Sequence, residues 1–234
     1  YDDANTHMVH FIGKDIIYFH ALFWPAVLNG SGYRTPTRIH THGFVTVNGT
    51  KMSKSRGTFI NAQTYLNHLN PEFLRYYYAT KLAANTDDID INLDDFVLRI
   101  NSDLVGKIVN IASRCAGFIN RSFNSQLSEQ VDNPELLNTF IQAGEEIADH
   151  YEKGDVSKAV RQIASLADLA NQYIAGKAPW QLIKQNDTHN EAHEVCSLAL
   201  NLFRVLVIYL KPVLPATTQK AEVFLKTGPL GWED

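Results

Sequence analysis

The chain of 234 residues is 45% apolar and 20% charged with a net charge of −4, a balance typical of one large or two modest globular domains and not of a sequence-blind polyanion binder. It contains no long run of uncharged apolar residues and no basic, apolar leader, so we expect neither a membrane span nor secretion. Its two cysteines, Cys115 and Cys196, exclude a disulfide framework or a cysteine-based zinc site and favour the cytoplasm.

The residues before about position 60 predict a strand, a helix and a second strand. The strand Met8–Ile12 precedes a helix over Asp15–Leu28, and the β-branched run Arg38–Val47 predicts the second strand. This order defines a βαβ unit with parallel strands. Two strands make a sheet too narrow to cover its own faces, so we expect this unit to belong to the second half of a larger protein.

The junction between the first strand and the helix contains Gly13 and Asp15. In open α/β sheets ligands bind beyond the carboxyl ends of strands, where a glycine admits close backbone approach and a carboxylate accepts ribose hydroxyls. Asp15 taken alone fits a helix cap better. Combined with the lysine-containing loop one strand later, the junction favours ribose.

Aromatic side chains surround one polar residue in the helix: Phe19, His20, Phe23 and Trp24. Such a group suits a pocket for a flexible apolar side chain, because thioethers pack well against ring edges. Ordinary packing against the missing half is an equal alternative for Phe23 and Trp24. His20 is the better pocket candidate because it is polar.

The second strand leads through a turn at Asn48-Gly49 into the loop Lys51-Met52-Ser53-Lys54-Ser55, and Gly57 marks the far side of this loop. Two lysines and two hydroxyls at the end of a strand suit a polyphosphate, because ammonium groups on flexible stems follow charge that moves as a bond breaks. A solvated basic turn is the alternative; it would account for the two lysines but not for the complete five-residue sequence.

Helical periodicity dominates after residue 60, and no further strand is predicted. The predicted helices are Asn61–His68, Pro71–Leu82, a long helix from about Asp95, Pro134–Glu152, Val156–Ala175, Glu191–Tyr209 and one after Pro215. The apolar stripe of the long helix consists of Val97, Ile100, Leu104, Ile108, Ile111, Cys115 and Phe118. Amphipathic helices with short connections predict an antiparallel bundle.

The histidines and aspartates do not predict a metal site. His40 and His42 share one face of the second strand without an acidic or cysteine partner nearby in sequence. The run Asp88–Asp94 begins like a calcium loop, but Leu93 and Arg99 occupy the positions of its glycine and bidentate glutamate. We expect these carboxylates to cap the long helix instead.

Two polar features of the bundle suggest contact with RNA. The long helix presents Lys107, Asn110, Arg114 and Arg121 on one face, and such side chains read base edges and phosphates. A solvated helix face is the alternative. Trp180 follows Pro179 at a helix break, where it either stacks on an unpaired base or fills the bundle interior.

Together these residues resemble the methionyl-tRNA synthetases of bacterial or organellar type. The segments that carry the resemblance extend over nearly the whole chain: Phe11–Ile16, Tyr18–His20, Lys51–Gly57, Leu74–Tyr77, Asp87–Asp90, Asn110–Arg114 and Lys177–Trp180. The resemblance implies a mainly α chain in three parts. Residues 1–57 form the C-terminal remnant of a parallel α/β, Rossmann-like nucleotide-binding fold, residues 58–95 a stem-contact connector, and residues 96–234 an antiparallel α-helical bundle that binds the anticodon.

The resemblance also implies a role for each candidate residue. Lys51 and Lys54 are the implied catalytic residues, with Lys54 the more critical. The implied ATP-binding residues are Gly13, Asp15, His42, Val45, Lys51, Met52, Ser53, Lys54 and Ser55. The implied methionine pocket consists of Phe19, His20, Phe23 and Trp24. The implied anticodon-reading set consists of Asn110, Arg114, Pro179 and Trp180.

The implied function is part of a methionine–tRNA ligase, which activates methionine with ATP and transfers it to methionine tRNAs, initiator and elongator, read at the CAU anticodon. Mg²⁺ accompanies ATP as its counterion. The family's His-Ile-Gly-His signature and zinc-binding insertion are absent, so we expect zinc only in a missing N-terminal half and no activity from this fragment alone. A free-standing tRNA-binding module and a class I synthetase for another aliphatic amino acid are the alternatives.

Overall fold

The computed structural model describes residues 5–53, 55, 57 and 59–234. The strands are β1 (Val9–Gly13), β2 (Arg38–His42), β3 (Val45–Val47), β4 (Thr50–Lys51) and β5 (Ile89–Ile91). The helices are α1 (Trp24–Gly30), α2 (Ala62–His68), α3 (Pro71–Ala79), α4 (Leu93–Arg99), α5 (Asn110–Ser122), α6 (Pro134–Lys153), α7 (Val156–Lys177), α8 (Pro179–Leu182), α9 (His189–Leu210) and α10 (Pro215–Leu225). This mainly helical architecture with a small parallel α/β part confirms the predicted fold class.

The first two strands form the expected βαβ unit. β1 pairs in parallel with β2, with Gly13 opposite His42 at the end of the ladder. The connecting helix begins with a 3₁₀ turn over Lys14–Ile16, widens into a π turn over Phe19–Phe23 and continues as α1. Because both strands run the same way, their carboxyl ends lie at one edge of the sheet.

The prediction of a single strand over Arg38–Val47 is wrong, because these residues form two strands in different sheets. β2 ends at His42, and β3 joins a second sheet in the order β4-β3-β5. The two strands part at Gly43, where a Cβ would lie 2.0 Å from the carbonyl oxygen of Asp87. The main chain around Asp87 therefore passes too close for any residue but glycine, and the sheet is interrupted there.

The expectation that no strand follows residue 60 is also wrong. β5 pairs in parallel with β3, and Asp90 lies opposite Thr46. Its side chains alternate as a strand requires, with Ile89 and Ile91 buried. A strand of three residues is too short for periodicity to outweigh the helical signals around it, so the pairing partner decides its conformation.

The helices of the bundle agree with the predicted ones to within a few residues. α6 begins after Asn133, whose side chain accepts a hydrogen bond from the Leu136 N–H at 3.0 Å, and ends at Gly154 with φ 81°. By length and composition α9 would suit a membrane span, but 78% of its most apolar window is buried inside the protein. α9 is therefore the central helix of the core.

The long helix runs from Leu93 to Ser122 and contains a π segment over Ile100–Val109. Most of its predicted apolar stripe is buried, but Val97 is 54% exposed, contrary to the prediction. A π segment has more residues per turn than an α-helix, so the buried face shifts along it. The buried face of the π segment and of α5 is therefore not aligned with the face of α4 on which Val97 lies.

The connector (residues 58–95) contacts the C-terminal part of the bundle through two side chains of α3. Glu72 accepts hydrogen bonds from the backbone N–H groups of Ala216 and Thr217, at 2.6 and 2.7 Å. Arg75 donates to the carbonyl oxygens of Val213 and Pro212 at 2.9 and 3.1 Å. These bonds join α3 to the first turn of α10 and to the segment that precedes it.

Candidate functional site

The lysine loop is reached through a tight hairpin between β3 and β4. Asn48 and Gly49 form its turn with φ values of 48° and 72°, the left-handed pair of a type I′ turn. Lys51 ends β4, and its Nζ lies 5.0 Å from the centre of the Phe44 ring. The predicted residue Lys54 lies outside the described residues, as do Arg56 and Thr58.

A second lysine approaches the same ring. The Nζ of Lys14 lies 5.0 Å from the centre of Phe44 and 2.7 Å from Oδ1 of Asp88. The backbone N–H of Phe44 donates to the same oxygen at 2.7 Å. The Lys14 ammonium and then the Phe44 N–H hold the pKa of Asp88 below its usual range, with a smaller contribution from Lys51. Lys14, Lys51, Phe44 and Asp88 thus form one charged cluster at the base of the hairpin.

Asp90 contacts the hairpin directly. Its Oδ1 accepts from the Thr46 hydroxyl at 2.6 Å and from the Gly49 N–H at 2.7 Å. These two bonds, the hydroxyl first, lower the pKa of the Asp90 carboxyl. The prediction that this aspartate run caps the long helix is wrong for Asp88 and Asp90. The N-cap is Asn92, whose side chain accepts from the backbone of the first helical turn.

The end of the first sheet brings together three of the predicted ATP residues, Gly13, Asp15 and His42. Gly13 is the N-cap residue of the 3₁₀ turn and Asp15 lies within that turn; the Oδ1 atom of Asp15 is 2.7 Å from the position that a Cβ on Gly13 would occupy. His42 lies opposite Gly13, and burial, followed by the neighbouring His40, lowers the pKa of its imidazole. A neutral imidazole therefore borders a pocket of about 320 Å³ that Asp88 and Asp90 also line.

The other residues predicted for ATP lie around the loop. Val45 is half-buried and packs against the core. Met52 packs against the core as well and borders an apolar cavity of about 700 Å³ beneath the loop. The hydroxyls of Ser53 and Ser55 lie 3.0 Å apart. Of these side chains only the serine hydroxyls offer hydrogen bonds to a phosphate.

The predicted methionine residues lie on an open surface. Phe19 and Phe23 meet edge to face at 6.3 Å and are 60% and 62% exposed, and Trp24 is also exposed. His20 meets His10 edge to face at 5.6 Å. Within the described part of the chain, the buried Nδ1 atoms of both histidines have no hydrogen-bond partner. Phe19, Phe23 and Trp24 therefore form an exposed aromatic wall next to two buried histidine nitrogens that lack partners in the described residues.

The predicted anticodon residues converge in the bundle. The Arg114 guanidinium lies 4.6 Å from the centre of the Trp180 ring, although the residues belong to different helices. Asn110 donates from Nδ2 to Oδ1 of Asn171 at 3.3 Å. Pro179 is buried and Trp180 half-buried against the core, so part of the indole fills the bundle and part remains accessible.

The rest of the predicted polar face is partly occupied by α7. Lys107 forms an ion pair with Asp168 at 2.8 Å, so it is not simply solvated. Arg121 lies 5.7 Å from the Phe118 ring centre. Sequence reasoning did not identify Asp168 or Asn171, although their three-residue spacing on one helix was a usable signal.

An ion cluster holds the break before Trp180. Lys177 donates to Asp132 at 3.0 Å and to Glu191 at 3.1 Å, and the Tyr173 hydroxyl also donates to Asp132. Ala178 then adopts the left-handed conformation with φ 47°. The cluster ties the end of α7 to the start of α9 at the point where α8 begins.

No group of three or more His, Cys, Asp or Glu side chains is placed to hold a metal ion in the described ranges. Cys115 and Cys196 are both buried free thiols. The interaction with Cys196 and then burial raise the pKa of the Cys115 thiol.

Two family models match the chain in succession. Residues 1–116 match the model described as tRNA synthetases class I (M), which defines the class as that of class I aminoacyl-tRNA synthetases. Residues 127–234 match the model described as the anticodon binding domain of methionyl tRNA ligase. Because the two matches omit only residues 117–126, the chain belongs to the methionyl-tRNA synthetase family.

Similar proteins support the same family. The methionine–tRNA ligase of Vesicomyosocius okutanii subsp. Calyptogena okutanii is 60% identical over 232 residues, which are 99% of this chain and 43% of that ligase. The Mycobacterium tuberculosis methionyl-tRNA synthetase in complex with methionyl-adenylate superposes with a TM-score of 0.87 at 26% identity, over 94% of this chain and 44% of that one. The free-state structure of the same enzyme, 23% identical over 95% and 44% of the two chains, shows the fold with a TM-score of 0.82. The chain thus spans less than half the length of these relatives.

Proposed function

We propose that the protein containing this chain is a methionine–tRNA ligase. The carboxylate of methionine attacks the α-phosphorus of ATP, and pyrophosphate leaves as methionyl-adenylate forms. The terminal ribose hydroxyl of a methionine tRNA then attacks the methionyl carbonyl, and AMP leaves. No enzyme nucleophile is needed, so Ser53 and Ser55 serve as hydrogen-bond donors only. Catalysis rests on positioning and on charge stabilisation by the lysines.

The hairpin residues support the activation step. We infer that Lys51 and Lys54 hold the ATP phosphates, while Gly13, Asp15 and His42 border the ribose and adenine. The neutral state of His42 favours stacking on a base, because no charge has to be desolvated. Mg²⁺ arrives on the nucleotide phosphates, and we expect zinc only in an N-terminal half of the enzyme outside this chain.

The exposed aromatic wall supports a methionine site shared with another segment. Phe19, Phe23 and Trp24 expose apolar surface of the kind that is normally covered. The unpartnered Nδ1 of His20 supplies a polar position beside them. We infer that the other part of the enzyme closes this wall into a pocket for the thioether side chain.

The observation that carries the proposal is the Arg114 guanidinium, 4.6 Å from the ring centre of Trp180, where Trp180 belongs to the half that matches an anticodon binding domain. Asn110 and Pro179 lie beside them in sequence, so amide, guanidinium and indole groups occupy one region of the bundle. Such groups bind unpaired bases by stacking and by edge hydrogen bonds. The net charge of −4 requires this contact to be local.

The test is binding of a methionine-tRNA anticodon stem-loop to the 234-residue chain. We expect the CAU loop to bind, and Trp180→Ala or an altered anticodon to weaken binding by about tenfold, because one stacking contact contributes roughly 1–3 kcal/mol. Trp232→Ala is the matched control, because that indole packs on Tyr209 at 5.1 Å at the opposite end of α9. Binding that is indifferent to the anticodon and to Trp180 would contradict the proposal.

The activation step has a separate test. The full-length enzyme is expected to catalyse methionine-dependent exchange between ATP and pyrophosphate, and this chain alone is expected not to. Methionine-dependent exchange by the isolated chain would contradict the inference that another part of the enzyme is needed to complete the methionine pocket.

A further inference from the structure

The β3–β4 hairpin has few contacts of its own, and its position depends on a neighbouring strand. β4 has two residues and β3 three, and a hairpin of that size has little independent stability. β3 pairs on its other side with β5, which comes from the connector. The contacts that β3 makes with β5 and its neighbouring residues therefore determine the position of the hairpin and of Lys51 at its end.

Asp90 in β5 and Asp88, which directly precedes β5, place two carboxylates on the side opposite the buried Ile89 and Ile91. Asp90 accepts from Thr46 on β3 and from the Gly49 N–H in the turn, two residues before Lys51. Asp88 accepts from the Phe44 N–H before β3 and from Lys14 at the end of β1. The two side chains thus hold both ends of β3 and connect it to the first sheet.

We propose that Asp88 and Asp90 are positioning residues for the lysine loop, which set the placement of Lys51 relative to the nucleotide. This inference rests on the proposed ligase function. Asp90 stabilises the type I′ turn by bonding one of its N–H groups, and Asp88 keeps the start of β3 beside β1. In this proposal the two carboxylates act through the hairpin, by their hydrogen bonds to Phe44, Thr46 and Gly49, and not through a bond to the substrate.

The same strand also links the loop to the anticodon-reading helix. Asn92 follows β5 directly and caps the helix that continues through Asn110 and Arg114. The Asn92 side chain further donates to Oδ1 of Asn48 in the hairpin turn, at 3.4 Å. Asn92 therefore contacts both the start of the long helix and the hairpin turn before Lys51.

The experiment measures ATP–pyrophosphate exchange by the full-length enzyme as a function of ATP and of methionine. Asp90→Ala is expected to lower kcat/KM for ATP by about tenfold and to change the KM for methionine by less than about twofold, because only the hairpin moves. Asp90→Asn is expected to recover most of the activity, because both hydrogen bonds end on one oxygen that the amide retains.

The control is Asp155→Ala. Asp155 resembles Asp88 in accepting one backbone N–H, from Ala84, and one lysine, Lys158, but it contacts no part of the hairpin in the described residues. If Asp90→Ala lowers the thermal midpoint more than Asp155→Ala does, the milder variant Thr46→Val tests the proposal instead. It removes one of the two hydrogen bonds to Asp90 and is expected to lower kcat/KM for ATP about threefold.

The outcomes separate the two proposals. A wild-type enzyme without methionine-dependent exchange would contradict the ligase function itself. An active wild type in which Asp90→Ala and Thr46→Val match the Asp155→Ala control would overturn the positioning role alone. An Asp90→Asn variant as defective as Asp90→Ala would also overturn it, because the carboxylate would then act by its charge and not through the hairpin.

Discussion

The contact between the connector and the bundle allows a quantitative prediction at Glu72. Its carboxylate is buried, with 4% of the residue exposed, and accepts the first N–H groups of α10 from Ala216 and Thr217 together with the Thr217 hydroxyl. The cap residue of α10, Leu214, supplies no side-chain bond of its own. Glu72 therefore caps α10 from another helix, where a negative charge also favours the helix dipole.

Glu72→Ala removes three hydrogen bonds to a charged acceptor, each of which contributes about 1.5–3 kcal/mol when fully retained. Water can reach the freed N–H groups through the vacated space, so we take about 1 kcal/mol per bond and expect a total loss of about 3 kcal/mol. For a chain of this length that loss lowers the thermal midpoint by about 10 °C.

The assay is thermal and urea-induced unfolding of the chain, followed by circular dichroism. Glu72→Gln is expected to lose about half as much stability, because an amide oxygen remains while the charge is lost. Glu145→Ala is the control, since this glutamate is exposed on α6 and its removal is expected to change the free energy of unfolding by less than about 0.5 kcal/mol. A Glu72→Ala variant within 1 kcal/mol of that control, a threshold of roughly one hydrogen bond, would refute the capping role.

Three further predictions concern the backbone and the thiols. Gly43→Ala is expected to abolish cooperative folding of the sheets or to destabilise the chain by more than about 3 kcal/mol, because its Cβ would lie 2.0 Å from the Asp87 carbonyl; an unchanged thermal midpoint would contradict this close approach. Ala178→Gly is expected to raise stability by about 0.5–1 kcal/mol, because glycine relieves the left-handed backbone at φ 47°, and a lowered midpoint would argue against that conformation. Cys115 and Cys196 are expected to react with a thiol reagent only after unfolding, because both are buried and the raised pKa of the Cys115 thiol keeps it protonated; rapid labelling of the native chain would contradict this packing.

Local patterns predicted the helices of the bundle well, because an amphipathic helix needs only its own periodicity and caps to be recognised. Pro134 after Asn133 and Gly154 at the far end delimit α6 through effects within a few residues. Patterns failed at β5 and at Gly43, where the outcome depends on a main-chain segment more than forty residues away along the sequence. Ile89, Asp90 and Ile91 do alternate with a period of two, but three residues are too few to predict a strand when its pairing partner is unknown.

The candidate site shows the same division. The lysine loop, the junction at Gly13 and the residues Asn110, Arg114 and Trp180 were predicted as candidates from motifs and from a family resemblance, because residue types can be read directly from the sequence. Their partners were not predictable in the same way. Asn171 beside Asn110 and Asp88 beside Lys14 are brought there only by packing between elements.

The sequence by itself therefore determined the helical bundle, the parallel strand pair and the chemical groups that we propose for nucleotide and RNA binding, since these follow from local periodicity and side-chain identity. Only the tertiary structure decided that Arg114 stacks on Trp180, that Glu72 caps a helix from another element, and that Asp88 and Asp90 support the hairpin. These contacts depend on distances between segments remote in sequence, and such distances are set when the apolar faces pack into one core.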